Sequence, residues 1–303
     1  MSFLDTLQEM LVILFAIAVG YTANRLGYLN ADTNQRLSKI LLNLTTPAMI
    51  IATVITGDTL PGIDVILSIL RVSVIFYGLE FLFALTVPRF LGGTPKQKGV
   101  WRYALAFPNV GFIGYPVAVA LFGQGALFYA VILVLPFNLL TYTLGPLILG
   151  GGAKFSLKKM FSPCVTASIL SLVLALSHYQ PPALIGECLD FVGDITVPLA
   201  LVTVGSLLAG LPVGRVFTDL RIWALSILRL LVLPVLLCLV LRALNVDSLV
   251  LGIAVTQMAM PVAVNGSLLC MEYGGDTQCM AQATLLTTAG SILTIPLIAA
   301  MLL

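Results

Sequence analysis

Apolar residues run through this chain in long stretches, and polar residues are confined to short gaps between them. A stretch of about 20 apolar residues is long enough to cross a hydrocarbon core of roughly 30 Å as a helix. The pattern predicts ten such spans, at 7–27, 36–57, 65–88, 102–122, 125–149, 163–179, 182–209, 221–244, 247–272 and 277–302. No gap is long enough to hold a soluble catalytic, nucleotide-binding or nucleic-acid-binding domain, so the chain is expected to work inside a bilayer, in contact with lipid and with no nucleic acid. Composition agrees: 59% of the 303 residues are hydrophobic and 9% are charged, against about 25% charged in soluble domains. The mean hydropathy is +1.08. The expected fold class is all-α and integral to the membrane.

Charge then sets the orientation. Arg25, Arg36 and Lys39, then Arg89, Lys96, Lys98 and Arg102, then Lys154, Lys158 and Lys159, then Arg215 and Arg221 make twelve of the fifteen basic residues, and all fall in alternate connections. The intervening ones, "TGDTLPGID", "FGQGA" and "HYQPPALIGE", have none. Lys and Arg collect on the cytoplasmic side, which predicts a cytoplasmic (plasma) membrane protein with both termini outside. Those basic residues are read as setting topology, with binding of anionic lipid or substrate as the other reading. The start, "MSFLDTLQEM", carries Asp5 and Glu9 but no basic residue, so it lacks the n-region of a signal peptide and the first span is expected to be retained.

Ten spans divide into 1–150 and 151–303, five and five, and an odd number inverts the second half. Landmarks support that division. "YPVAV" at 115–119 is nearly repeated as "MPVAV" at 260–264; Pro47 of "TTPAMI" matches Pro198 of "TVPLAL"; Glu80 and Arg229 are 149 apart. In inverted-repeat carriers, a matched pair of Gly/Pro-interrupted spans points to the binding site. "PNVGFIGYP" at 108–116 and "TQMAMPVAVNG" at 256–266 are such a pair. Proline removes a backbone donor and displaces the carbonyl one turn back, and unwound backbone is tolerated at membrane depth only inside protein or along a cavity. Spans four and nine are therefore expected to be broken helices that cross, with half-helix N-termini offering N–H groups and partial positive charge to an anion. The candidate contacts are Pro108, Asn109, Val110, Gly111, Gly114 and Pro116 on one arm and Thr256, Gln257, Pro261 and Asn265 on the other. Thr46 and Pro47 of "NLTTP" and Pro198 of "GDITVP" either join the site or only support the crossing. The alternative for all of these is a set of proline-kinked structural helices.

"LAFPNVGFIGYPVAVALFG", "VGDITVPLALVTVGSLLAG" and "AMPVAVNGSLLCMEYGGD" resemble the fourth, seventh and ninth helices of the auxin efflux carrier family, which includes the plant PIN carriers and bacterial organic-acid permeases. The resemblance extends over nearly the whole chain. It implies ten helices in a five-plus-five inverted repeat like that of bile-acid symporters and sodium/proton antiporters. It also implies a scaffold of helices one, two, six and seven, and an elevator-like transport unit of the other six. By position it places Pro108, Asn109, Gly111 and Pro116 on one arm of the crossing and Pro261 on the other, and aligns Asp194 with an acidic position of the seventh helix. The long cytoplasmic loop of the plant carriers is absent here. A homodimer through the scaffold helices is compatible with this arrangement.

Ionisable groups within spans cost about 2.5–3.5 kcal/mol on insertion scales and are functional by default. Glu80 and Arg229 could pair, and either could bind substrate or relay a proton; a purely structural ion pair, or snorkelling by Arg229, is the alternative. Asp194 is a candidate for cation or proton coupling or else a helix N-cap. Glu272 and Asp276 are expected in a solvated cytoplasmic turn. Five cysteines without C-x-x-C spacing and a lone His178 form no metal constellation, and the cysteines read as packing residues. No cofactor is expected beyond a coupling Na+ or H+.

Other classes fit less well. The aspartates in "TGDT", "VGDI" and "YGGD" and the lack of G-x-S-G do not suit an intramembrane protease, and G-x-x-x-x-G-K-[ST] does not occur. An enzyme is not expected. The reading that remains is a secondary carrier for a small organic anion, a mono- or dicarboxylate, with an anion-selective channel or transporter-like sensor as the alternative. Export of an anion is favoured by the membrane potential at about 2.3 kcal/mol per charge per 100 mV, whereas uptake requires a coupling ion.

Overall fold

The computed structural model describes residues 3–56, 62–150, 163–177, 179, 181–210 and 219–302. Among these every regular element is helical, and the one pairing of extended backbone is an isolated antiparallel bridge between Pro108 and Val262. Helix α1 spans Phe3–Arg25, α2 Ala31–Ile55 and α3 Ile63–Leu91; α4 is split into α4a, Pro95–Ala106, and α4b, Val110–Phe122. Helix α5 runs Ala126–Leu133 and Leu135–Ile148, α6 Pro163–Ser177, α7 Ala183–Ala209 and α8 Leu220–Ala243. Helix α9 is again split, into α9a, Ser248–Met258, and α9b, Asn265–Tyr273, and α10 covers Thr277–Leu302. His178 and the basic residues Lys154, Lys158, Lys159 and Arg215 lie outside the described residues.

Helices therefore occupy all ten predicted positions, and five of them, α2, α3, α7, α8 and α10, are long and apolar enough to cross a membrane. Their outward faces carry large apolar side chains such as Leu44, Val74, Phe191 and Leu293. Apolar exposure on this scale suits hydrocarbon and not water.

Two packing groups share the interior. In the first, α1 lies along the second part of α7, and α2 packs on both α6 and the first part of α7. The α1–α7 contact is backbone on backbone. A Cβ on Gly20 would overlap the Val202 carbonyl, and one on Gly205 would overlap the Ile17 carbonyl. Small residues at such positions let membrane helices approach closely. In the second group α3, α4a, α5, α8, α9a and α10 surround a core that includes Phe76, Trp101, Tyr103 and Phe107.

Prolines shape the interior backbone in a repeated way. Three π-helical turns, Leu41–Thr45, Val110–Gly114 and Leu228–Val232, each end two residues before a proline: Pro47, Pro116 and Pro234. The ring of a proline displaces the carbonyl four residues back. Widening the preceding turn to i→i+5 bonding absorbs that displacement without breaking the helix, and such turns are frequent at functional sites. The bonds from Thr46, Tyr115 and Leu233 N–H to the carbonyls of Leu41, Val110 and Leu228 close these wide turns.

Candidate functional site

The interruptions of α4 and α9 lie against one another. Asn109 N–H donates to the Pro261 carbonyl at 2.7 Å, and Ala263 N–H donates to the Phe107 carbonyl at 3.1 Å. Two broken helices thus satisfy part of each other's unwound backbone, which neither could do alone in a bilayer. Thr287 of α10 adds a third support, its hydroxyl accepting from Val262 N–H at 3.1 Å.

At the N-terminal side of the breaks the side chains are incompletely paired. Asn109 caps α4b, its Oδ1 accepting from Phe112 N–H at 3.3 Å, while its Nδ2 is buried with no partner. The Thr196 hydroxyl of α7 is also buried and unpartnered. Both residues line a cavity of about 60 Å³ together with Thr46, Gly111 and Asn265. Tyr115, Phe137, Leu42 and Cys164 form its apolar walls. Asn265 accepts from the Tyr103 hydroxyl at 3.1 Å through Oδ1, so its amide nitrogen remains for other partners. In the first turns of α4b and α9b, Phe112 and Gly114 N–H are taken by the Asn109 side chain and carbonyl, and Gly266 and Ser267 N–H by the carbonyls of Ala263 and Val264, while the positive ends of both half-helix dipoles remain on this side. None of the lining residues is basic. An anion here would be held by amide and hydroxyl donors and by helix ends.

The cavity lies between the packing groups: α2, α6 and α7 supply one wall, and the two breaks with α5 supply the other. Further along α2 and α7, a second cavity of about 710 Å³ begins at Met49 and Val197 and continues past Thr53, Thr56, Asp190 and Asp194 to the turn at Gln124. Asp194 sits at the junction of the two parts of α7, where the N-cap residue of the second part is Ile195. It therefore lines the wide cavity and not the narrow one.

The C-terminal ends of the half-helices meet a different environment. Arg229 of α8 is 0% exposed and uses all five N–H groups. It donates to the carbonyls of Leu105 at 2.9 Å, Met258 at 3.1 Å and Met260 at 3.1 Å, and twice to Glu80 Oε1 at 2.9 Å. The carbonyl ends of α4a and α9a, which carry the negative half of their dipoles, are thus tied by one cation. The two acid–base candidates of α3 and α8 pair, and Arg229 has no donor left for a ligand.

Of the residues singled out from sequence, Thr46, Asn109, Val110, Gly111 and Asn265 are brought to the narrow cavity. Pro108 and Pro261 form the backbone contact beside it, and Pro47 and Pro116 sit behind the wide turns. Gly114 faces Gln257: a Cβ there would overlap Gln257 Oε1. Gln257 and Thr256 are buried at the end of α9a, with side-chain polar atoms that have no partner, and do not line the narrow cavity. Cys164, Tyr115 and Phe137 were not anticipated. Thr196 had a usable signal, since the 151-residue offset that relates Pro47 to Pro198 also relates Thr45 to Thr196.

The family described as "Membrane transport protein" matches residues 5–156 and 146–299, nearly the whole chain. The chain belongs to this family, the auxin efflux carriers. It is an integral membrane protein of the transporter class. Similar proteins include an "Uncharacterized transporter" of Methanothermobacter thermautotrophicus, 25% identical over 98% of each chain. Another, from Rhizobium meliloti, carries the name "Putative malonate transporter" and is 23% identical over 92% of this chain and 90% of its own. A third, from Escherichia coli, is an "Uncharacterized transporter", 22% identical over 95% of each. Membership in the auxin efflux carrier family thus rests on a match along the full length and not on the crossing motifs alone.

Proposed function

We propose that this protein is a secondary carrier that moves a small organic anion, a mono- or dicarboxylate, across the cytoplasmic membrane. The carboxylate binds in the narrow cavity, between Asn109 and Asn265 and the N-termini of α4b and α9b. Ten spans form a five-plus-five inverted repeat with both termini outside. Helices α1, α2, α6 and α7 act as the scaffold against which the other six move, elevator-fashion. In this orientation the wide cavity opens to the outside, so the conformation is outward-facing.

The observation that carries this reading is the buried, unpartnered Nδ2 of Asn109, a residue that lines a cavity with no basic side chain. A buried donor without an acceptor costs about 1–3 kcal/mol. A structural kink gains nothing from retaining one, whereas a carboxylate site uses it. The relative whose name mentions malonate makes that acid the first to try.

The test is a thermal-shift screen of the detergent-solubilised protein against malonate and other small mono- and dicarboxylates, with and without sodium and at two pH values. A ligand at about 100 times its Kd stabilises by about 2.7 kcal/mol, and sodium or acid that strengthens the effect identifies the coupling ion. If no carboxylate moves the melting curve under any condition, the carrier reading for these anions is wrong.

A further inference from the structure

Among the described residues, Glu80 and Arg229 are the only charged side chains buried in the interior. Their bonding is lopsided. A guanidinium–carboxylate fork engages both oxygens of the acid, but here both Arg229 contacts fall on Oε1, at 2.9 Å each. The remaining three donors are directed to the carbonyls of Leu105, Met258 and Met260. Oε2 of Glu80 is left buried with no partner. An ionised oxygen without a donor in a dry interior is costly. A proton on Oε2 relieves that cost and leaves both Oε1 contacts in place, but gives up the charge balance with Arg229, whose cation is then met by the carbonyls of Leu105, Met258 and Met260 and by a neutral Oε1.

We propose that Glu80 Oε2 is the proton-binding site of this carrier. One proton passes from hydronium to Oε2: an O–H bond of hydronium breaks to leave water, the O–H bond of the carboxylic acid forms, and the net charge of the Glu80–Arg229 pair rises from zero to +1. That charge sits on the carbonyl ends of α4a and α9a, and their continuations α4b and α9b begin at the narrow cavity. A proton at Glu80 thereby favours an anion in the cavity without touching it. Tyr77 lies one turn before Glu80 on α3, and both side chains are buried. The Tyr77 hydroxyl is itself buried and unpartnered. Arg229 from α8 is the one charged side chain bonded to Glu80 among the described residues, and α4a and α9a present backbone carbonyls to Arg229.

Coupling to an anion rests on the carrier function proposed above, whereas protonation does not, and two measurements separate them. Infrared difference spectra of the reconstituted full chain, taken across a pH titration with no anion present, are expected to show a carboxylic-acid carbonyl band as the pH falls. The other twelve of the 13 Asp and Glu residues contribute to that band as well, so the test is the wild-type minus Glu80→Gln difference: it should hold one carboxylic-acid component, and Glu80→Asp should restore one at a shifted frequency. A titration indistinguishable between the wild-type and Glu80→Gln chains overturns the proton site. Where Glu80→Gln does not fold, the wild-type titration and Glu80→Asp decide. In the second measurement, malonate affinity of the wild-type chain is expected to rise by up to about tenfold per unit fall in pH, and that of Glu80→Gln to lose this component. The titration of malonate itself is common to both chains and cancels in the comparison. The same pH dependence in both chains overturns the coupling. The Glu80-dependent band with no malonate binding at any pH supports the proton site and removes malonate as the cargo.

Discussion

The two sides of the helix crossing are built from the same pair of breaks but are bonded in opposite ways. On the C-terminal side of α4a and α9a, Arg229 meets three carbonyls and a carboxylate oxygen and has no donor to spare. On the N-terminal side of α4b and α9b, Asn109 Nδ2 and the Thr196 hydroxyl have no partner and face a cavity. The difference teaches which polar groups hold the fold and which await a ligand. Buried atoms without a partner occur on both sides, Glu80 Oε2 and the Gln257 amide on the first and Asn109 Nδ2 and Thr196 Oγ1 on the second, but only the latter belong to residues that line the narrow cavity, where what enters stabilises them.

Substitutions that strike one side and spare the other break or sharpen this contrast. The largest effect is expected from Arg229→Ala, which strands a buried carboxylate and three carbonyls. Removing one partner of a buried pair costs about 3–5 kcal/mol, so detergent-extracted protein should lose its monodisperse size-exclusion peak or melt far lower. A melting temperature equal to that of wild type would end the distinction. Next comes Asn109→Ser, in which serine retains the N-cap for Phe112 N–H but removes the free amide donor. Loss of a hydrogen bond to a charged ligand is worth about 1.5–3 kcal/mol. Carboxylate affinity should therefore fall tenfold or more by titration calorimetry while thermal stability stays near wild type; the reverse outcome would make Asn109 a structural kink residue.

Gly114→Ala tests the packing that joins the two sides. Its new methyl would overlap Gln257 Oε1, and overpacking costs about 1–3 kcal/mol. A lowered melting temperature is expected, to be recovered by the compensating double change Gly114→Ala with Gln257→Ala. The smallest effect is expected from Thr196→Val, which replaces an unpartnered hydroxyl by a methyl of the same shape. Stability should be unchanged or slightly raised, and affinity should drop by about 1 kcal/mol, or roughly fivefold, if the hydroxyl binds the anion. Unchanged affinity would take Thr196 out of the site.

Much of this was legible in the chain because it is local. The ten helical positions follow from runs of apolar residues, and the breaks in α4 and α9 follow from Pro108 and Pro261, whose rings cannot continue a helix. The wide turns before Pro47, Pro116 and Pro234 obey the same chemistry, although their π geometry was not anticipated. Less was legible of the site. Asn109, Val110, Gly111 and Asn265 line the narrow cavity because each sits within a few residues of a break, and Thr46 because it lies beside the wide turn of α2. Thr256 and Gln257 lie equally near a break in sequence, yet they do not line the cavity, and Gln257 packs against Gly114 of α4b instead. Phe137 and Cys164 belong to the cavity only because α5 and α6 pack where they do.

The sequence by itself determined the membrane class, the family and the positions at which helices are interrupted, since hydrophobic length and proline geometry act within a few residues. Only the tertiary structure decided that the interruptions bond to each other, that Arg229 joins both carbonyl ends to Glu80, and that Asn109 and Thr196 share one cavity. Those outcomes depend on how helices far apart in the chain are rotated and docked. In a bilayer every buried polar group not met by its own helix must find a partner on another one.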